Sequence, residues 1–505
     1  MKNSVSKYKK GILFALGTVA TLGVVSIVAA SCAKPLINVN SINTYYKVPT
    51  SSESQAFHSL YKTMSNEGTR AFVLGGFMQP PALLSGLENN VFNKDSIALL
   101  VDIGFAENDE TKAKLNNIKD KLSRVSSLVF NVEEAAFLAG IATAYQLNSN
   151  QERFLKDNKG LTWGGYVGIN LSSTTPFLAG FSAGVKWANE KLKDKDIKQE
   201  NSQTTKKYVE VKEQQLVQNS SAVGGFDVGM GDKVVNEFID LDVDVLLVVA
   251  GGGQSRDAVQ RVNSSSKDIM IVGVDVPQEN DPLTNVKFGN KEAPIHFSIV
   301  KNMDTIVART LKKATEQPQP FVGNNSEFKK EDEYKLGVHT AAGIDSGAVG
   351  ISEPGHKYLI AATNLATNQQ LVNYSDAVSY FLNKDDVYKQ FLANDNLEYV
   401  ASKGVGKDQN TTQTEKWTHP RAKSFYLSTA SSDAFKKAYE IADQKDKEAD
   451  QNKYPKDYYK KLLVAQILSF PGDILADGAF NEKIFNGIVK FYEQAGITIP
   501  KPNQK

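Results

Sequence analysis

The feature that most constrains the fold is an alternation of short apolar runs with helix-like segments between about residues 93 and 315. The apolar runs resemble parallel strands that are covered on both faces. Repeated β–α units predict right-handed crossovers and a doubly wound parallel sheet of the α/β class. The span is too long for one small sheet, so two lobes are expected. Strands are predicted at 96–101, 125–131, 162–169, 243–249, 268–274 and 296–300.

The pattern changes after about residue 353. Segments 376–392, 432–453 and 481–495 have a helical pattern, which predicts a mostly helical C-terminal appendage over 354–505. Three polar stretches interrupt the chain, and we interpret them as a solvated insertion at 189–206 and loops at 317–334 and 403–420.

The N-terminus predicts export. A lysine-rich start is followed by an uncharged run over residues 11–30 and by small residues that lead into Cys32, the single cysteine. This pattern is typical of a bacterial signal peptide over residues 1–32, with cleavage before Cys32 and diacylation of that residue. Two acyl chains, palmitate among the candidates, would hold the protein stably at the outer face of the cell membrane. An uncleaved anchor helix and a plain secretory signal remain alternatives, and both would still export the chain.

The amino-acid composition excludes few classes of protein. Of the 505 residues 41% are hydrophobic and 23% are charged, and the formal net charge is +1. This balance is that of a globular protein with a sizeable core and gives no sign of nucleic-acid binding. With one cysteine no internal disulfide can form, so stability must come from core packing.

Candidate ligand-binding residues follow the predicted strands directly, because ligands of open α/β sheets bind beyond the carboxyl ends of the strands. They are Asp102, Gly251 at the start of a triple glycine, Asp275 and Lys301. Each has an ordinary structural alternative. The alternatives are a turn or capping role for the aspartates, a tight turn for the glycines, and a solvated surface position for the lysine. Together they are expected to converge on one cleft.

Catalytic signatures are missing from the sequence. The 5 histidines lie far apart, and no phosphate loop, complete GxGxxG or GxSxG nucleophile elbow is present. We therefore predict no catalytic residue, no metal site and no cofactor.

Several segments in order resemble the basic membrane protein family of nucleoside-binding lipoproteins that serve ABC transporters. The resemblance covers about residues 44–350 and is carried by FNVEEAAFLAG (130–140), WGGYVGI (163–169), TPFLAGFSAGVKWAN (175–189), VGGFDVGMGDKVVNEFIDLDVDVLLVVAGGG (223–253), IVGVDVPQ (271–278) and HFSIVKNMD (296–304).

The resemblance implies a type I periplasmic-binding-protein fold, with two doubly wound lobes joined by crossing strands and a nucleoside between them. Lobe 1 would comprise residues 33–150 and 299–325, and lobe 2 residues 151–298 and 326–353. Phe177 falls at the position of a ring that stacks on the base, although with Phe181 one turn later it can also be a core residue. Asp102 corresponds to a contact with the base edge, Asp275 and Lys301 to groups that bind ribose hydroxyls, and Gly251 to a close backbone approach.

One departure from the family concerns its first β–α unit. Family members begin with a strand that ends in an acidic segment containing Ser-Phe-Asn, which supplies a second stacking ring and an amide. Here the chain goes almost directly to residues 45–49, which resemble the second strand, and the expected Asp-x-Ser-Phe-Asn is absent. The unit is therefore expected to be lost or replaced.

Three functions follow from these observations. The first is a membrane-anchored substrate-binding lipoprotein that binds a nucleoside, with a purine preferred, and delivers it to an ABC-transporter permease. The second is a surface interaction or adhesion lipoprotein that has lost nucleoside binding. A nucleoside-cleaving enzyme is the third, and it lacks a nameable acid–base pair.

Overall fold

The structure is a computed structural model that describes residues 40–93, 96–105, 108–155, 159–200, 202–282, 284–287, 292–316, 337–405, 412–427, 463–494 and 496–502. The predicted signal peptide with Cys32, the predicted loop at 317–334 and the predicted helix at 432–453 lie outside these residues. Within the described part of the chain, no helix combines the length and the apolar character needed to cross a membrane.

The first sheet has seven strands in the order β1 (Tyr46–Lys47), β17 (Val464–Ile467), β2 (Ala71–Gly75), β3 (Ile97–Val101), β4 (Val125–Phe130), β12 (Val338–Ala342) and β16 (Phe425–Tyr426). All neighbouring strands are parallel except β12 and β16. Strands β2 and β3 are buried along their whole length, as their apolar sequences require.

The second sheet has six strands in the order β13 (Val349–Ile351), β11 (Ile295–Lys301), β10 (Met270–Asp275), β9 (Val245–Val249), β5 (Leu161–Val167) and β8 (Val211–Glu213). Only the β11–β13 pair is antiparallel. Each sheet with its helices forms one lobe, and we call them the first and second lobes. The predicted α/β class with parallel sheets is confirmed.

Helices connect the strands. They are α1 (Ser54–Asn66), α2 (Gln79–Glu88), α3 (Asp109–Asn117), α4 (Val132–Ser149), α5 (Gln151–Phe154), α6 (Thr175–Lys191), α7 (Asp232–Asp240), α8 (Gly251–Ser264), α9 (Met303–Glu316), α10 (Glu353–Thr367), α11 (Tyr374–Lys384), α12 (Asp386–Ala393) and α13 (Phe480–Gln494). Two antiparallel hairpins complete the fold, formed by β6 (Asp196–Lys198) with β7 (Thr205–Lys207) and by β14 (Asn396–Val405) with β15 (Thr412–Pro420).

Helices α4 and α6 contact each other through glycines. A Cβ atom placed on Gly140 would lie 2.3 Å from the carbonyl oxygen of Phe181, and one on Gly184 would lie 1.9 Å from that of Phe137. Only glycine permits so close an approach of two helix backbones. The small residues of the FLAG and FSAG segments therefore hold α6, and with it Phe177, in place.

The structure corrects the predicted lobe boundaries. The segment 326–353 was assigned to lobe 2, but it is divided, because β12 pairs with β4 in the first sheet while β13 pairs with β11 in the second. Residues 299–301, assigned to lobe 1, are the end of β11 in the second sheet. The pairing of the strands decides which lobe each segment belongs to, and hydrophobic periodicity does not show which strands pair.

The residues after 353 do not stand apart from the sheets as the predicted appendage. Strand β17 is an inner strand of the first sheet, where it pairs with β1 on one side and β2 on the other. Helix α10 packs against α4, and α13 packs against α9. Two of the predicted polar segments also contain regular structure. Strand β6 and the first two residues of β7 fall within 189–206, and β15 falls within the predicted loop at 403–420.

A further observation concerns the first β–α unit, which the sequence predicts to be lost or replaced. Strand β17 and helix α13 form a β–α unit that follows every other part of the sheet in sequence but lies beside β1 and β2 in space. Ser469 after β17 donates a hydrogen bond to the carbonyl of Gly75, and the amide of Gln79 donates to the carbonyl of Ile467. The first sheet thus includes a β–α unit contributed by the end of the chain.

Candidate functional site

Three of the predicted site residues meet where the strand ends of the two sheets face each other. Asp102 follows β3 of the first sheet, and Asp275 and Lys301 are the last residues of β10 and β11 in the second. The Nζ atom of Lys301 lies 2.7 Å from Asp102 Oδ2 and 3.0 Å from Asp275 Oδ1. We call Asp102, Asp275 and Lys301 the lysine cluster.

Both carboxylates of the cluster stand on unusual backbone. The φ angles of Asp102 and Asp275 are +62° and +68°, in the left-handed region where aspartate is among the better-tolerated side chains. This conformation turns the chain sharply at the strand end. Strained backbone of this kind concentrates at binding sites, where the surrounding structure holds it in place.

The cluster is buried and carries an excess of negative charge. The exposed fractions of the side chains are 3% for Lys301, 9% for Asp102 and 16% for Asp275. Burial raises the pKa of Asp102 to about 6, with Lys301 opposing and Asp275 adding to the rise. Burial also works to lower the pKa of Lys301, but the two carboxylates outweigh it and that pKa is raised. The single ammonium group of Lys301 thus pairs with two carboxylates, and both can accept further hydrogen bonds.

Phe177 joins the cluster. It lies in the first turn of α6, and the centre of its ring is 5.1 Å from Lys301 Nζ, a distance typical of a cation–π contact. The ring is 1% exposed and belongs to the hydrophobic core. Phe177 is therefore both a core residue and a wall of the lysine cluster, whereas Phe181 one turn later packs on Trp163.

Gly251 is at a strand end but outside this set of contacts. It opens α8 after β9 with a φ of +78°, and a Cβ atom at this position would have no neighbour within 4 Å. The ion pairs and the ring contact that unite the other four predicted residues do not include it. The close approach occurs one residue later, where a Cβ atom on Gly252 would lie 3.3 Å from the Cβ of Ala479.

Sequence reasoning missed a second group of candidates at the start of α13. Residues 477–481 read Asp-Gly-Ala-Phe-Asn, which matches the family's Asp-x-Ser-Phe-Asn except that Ala479 replaces serine. The carboxylate of Asp477 caps the helix by accepting from the backbone N–H groups of Ala479, Asn481 and Glu482. This motif could have identified the candidates from the sequence, but it lies near the end of the chain and was expected near its start.

Phe480 and Asn481 stand at the carboxyl ends of the strands of the first sheet. A Cβ atom on Gly75, the last residue of β2, would lie 3.1 Å from the ring of Phe480. The side-chain oxygen of Asn481 is buried and has no hydrogen-bond partner among the described residues. A buried acceptor without a partner costs free energy and is a candidate for contact with a ligand.

Comparisons with known proteins agree with the motifs. Residues 33–207 match the family described as ABC transporter substrate-binding protein PnrA-like. The chain is 26% identical over 355 residues to the uncharacterized lipoprotein MG040 of Mycoplasma genitalium, with 59% of this chain and 58% of that protein covered. It is 27% identical over 368 residues to the MG040 homolog of Mycoplasma pneumoniae, with 61% and 54% covered.

The chain thus spans a little over half the length of these curated relatives. Among solved structures, it is similar to a solute-binding protein of an ABC transporter system from Aeropyrum pernix, with 18% identity and a TM-score of 0.40. That similarity covers 67% of this chain and 74% of the other.

Proposed function

We propose that this chain is a PnrA-like substrate-binding protein of an ABC transporter, the family that residues 33–207 match, and that it binds a nucleoside between its two lobes and delivers it to a permease. The single observation that carries the proposal is the lysine cluster, in which Lys301 Nζ of the second sheet lies 2.7 Å from Asp102 Oδ2 of the first. A ligand bound there would contact both lobes at once.

The chemistry of the cluster suits the hydroxyl-rich part of a nucleoside. Ribose hydroxyls can donate to the carboxylates of Asp102 and Asp275 and accept from the ammonium of Lys301. A buried site of this kind disfavours a free base, because the base cannot satisfy the same polar groups. The excess carboxylate also disfavours a phosphorylated ligand, so the proposed substrate class is the nucleoside and not the nucleotide.

The base would lie against aromatic faces. Phe177 is the predicted stacking ring, and Phe480 with Asn481 supplies the ring and amide that the N-terminal sequence lacks. Stacking of a base on an aromatic side chain is worth about 1–3 kcal/mol, and it favours the larger surface of a purine. The buried, unpaired oxygen of Asn481 can accept a hydrogen bond from an exocyclic amine.

Titration calorimetry of residues 33–505 with adenosine, guanosine, uridine and free adenine tests the proposal. We expect at least one nucleoside to bind and free adenine to bind far more weakly. Asp275→Asn should weaken nucleoside binding because it removes an acceptor for ribose hydroxyls. The matched control is Asp244→Asn, since Asp244 precedes β9 at the opposite end of the second sheet and is bonded to Thr162. Equal affinity of both variants for every nucleoside would contradict the proposal.

Membrane attachment is the second part of the proposal. Cys32 precedes the described residues, and its diacylation would place the protein at the outer face of the cell membrane. Cells grown with radiolabelled palmitate should incorporate label into the protein, and Cys32→Ala should abolish the labelling. Labelling that persists in Cys32→Ala would refute the assignment of this cysteine.

The surface-interaction alternative depended on an incomplete first lobe. We propose that strand β17 and helix α13 take the place of the first β–α unit and contribute the Asp-Gly-Ala-Phe-Asn segment to the site. We therefore propose a single function.

A further inference from the structure

A cavity in the first lobe shares no residue with the lysine cluster, although Ile103 in its wall directly follows Asp102 in the chain. It has a volume of about 480 Å³ and is bounded by α2, α3, the chain after β3, and strands β4 and β12 of the first lobe, with Ser172 of the second lobe. Small-molecule sites typically have volumes of about 300–1,000 Å³. We propose that this cavity binds a small, neutral ring molecule that carries an N–H or O–H group.

The walls of the cavity are mostly apolar. The larger apolar residues among those lining it include Phe77, Pro80, Leu84, Ile103, Phe105 and Val129. The flat faces of the phenyl rings and the apolar surface of the aliphatic side chains favour a flat and weakly polar occupant.

His339 supplies the specific polar contact. Ser127 Oγ donates its single hydrogen to the carbonyl of Ile103 at 2.9 Å, so it must accept from the His339 Nδ1–H, which lies 3.0 Å away. The remaining nitrogen of the ring, Nε2, is then an acceptor. Because His339 lines the cavity, the occupant recognised there is one that donates a hydrogen bond.

The ring of His339 is held in one position and in the neutral form. It stacks on Phe425 with the ring centres 4.5 Å apart and an angle of 17° between the planes. Burial lowers the pKa of His339 to about 4, so the imidazole is uncharged at neutral pH. The cavity thus offers an anion no cationic partner at its base.

Charged residues at the rim of the cavity also favour a neutral occupant. Glu110 and Lys114 form an ion pair with the nitrogen and oxygen 2.7 Å apart, and Glu88 adds a further negative charge. An anionic occupant would meet this carboxylate, and a cationic one would leave its water shell for apolar walls. A neutral molecule avoids both costs.

Indole is a suitable probe, because it is flat, apolar and has one N–H donor, and 1-methylindole is the matched probe without the donor. With histidine labelled at ¹³Cε1, indole should shift one ring signal in NMR spectra, and His339→Phe should remove that signal. Loss of one neutral hydrogen bond corresponds to about fivefold weaker binding, which we expect for 1-methylindole.

Ser85→Trp, which places an indole side chain in the cavity from α2, should abolish the shift while His339 is still present. The control is Ser59→Trp on the exposed face of α1, which should leave the shift unchanged. Thermal melting confirms that both variants fold. An indole titration that leaves all histidine signals unmoved, equal affinity for both probes, or equal behaviour of the two tryptophan variants would overturn the proposal, whatever the outcome with nucleosides.

Discussion

Asp102 and Lys301 are 199 residues apart in the chain, and their side chains meet at 2.7 Å between the two sheets. Each follows or ends a parallel strand, and each strand belongs to a different lobe. The contact therefore depends on how the two lobes are placed relative to each other, as well as on which residues the site contains.

Because one lysine pairs with two aspartates in the lysine cluster, replacing the lysine should lower the free energy of unfolding more than replacing one aspartate. Lys301→Met leaves two buried carboxylates without a cation, which should lower the free energy of unfolding by about 3–5 kcal/mol. Asp102→Asn leaves Lys301 paired with Asp275, so we expect a loss of about 1 kcal/mol. Urea denaturation measures both values. Lys159→Met removes a largely exposed pair with Asp242 and should change stability by less than about 1 kcal/mol.

Phe480→Ala should weaken nucleoside binding more than it weakens the fold. If Phe480 stacks on the base, its loss should cost about 1–3 kcal/mol of binding free energy in calorimetry. Phe425→Ala is the control, because this partly exposed ring stacks on His339 and not on the proposed nucleoside. Unchanged nucleoside affinity in Phe480→Ala would remove this residue from the site.

The C-terminal segment should behave as part of the first lobe in unfolding experiments. Ile484 is 0% exposed and packs toward Gly75, so Ile484→Ala should lower the free energy of unfolding by about 2–5 kcal/mol. Ile474 is 64% exposed, and Ile474→Ala should change it by less than about 0.5 kcal/mol. A separate unfolding transition for the segment, with the main transition unaltered, would show instead that it is an independent appendage.

Gly252 should be intolerant of a larger side chain because it lies where the lobes touch. Gly252→Leu would place atoms against Ala479 and the carbonyl of Asp477, and overpacking of this kind costs about 1–3 kcal/mol. We expect weaker nucleoside binding and a larger radius of gyration in small-angle scattering. Adding Ala479→Gly should restore part of both. If Ala479→Gly restores neither nucleoside affinity nor the radius of gyration, contact with Ala479 is not the cause of the effect.

His339 predicts a dependence of stability on acid pH. Its pKa is about 4 in the folded protein and about 6.5 when unperturbed, so the unfolded chain binds the proton more tightly. This stability is fully present above pH 6.5 and is lost as the pH falls toward 4, by up to about 3 kcal/mol. Urea denaturation at several pH values should show a smaller loss on acidification in His339→Phe. Parallel curves for the two proteins would contradict the assigned shift.

Local sequence determined much of this protein. Apolar runs predicted the central strands, and the residues that follow them identified Asp102, Asp275 and Lys301, because a buried strand and its polar terminus are encoded within a few neighbouring residues. The motif around Phe177 was readable for the same reason. These features depend on side chains that are adjacent in the chain.

Tertiary structure alone decided which strands are neighbours. The position of β17 between β1 and β2, and the division of β12 and β13 between the two sheets, depend on backbone hydrogen bonds between strands that are not neighbours in the sequence. Hydrophobic periodicity is the same whichever partner a strand takes, so it could not show that the end of the chain completes the first lobe. For that reason Phe480 and Asn481 emerged as candidates only once the sheets were assembled.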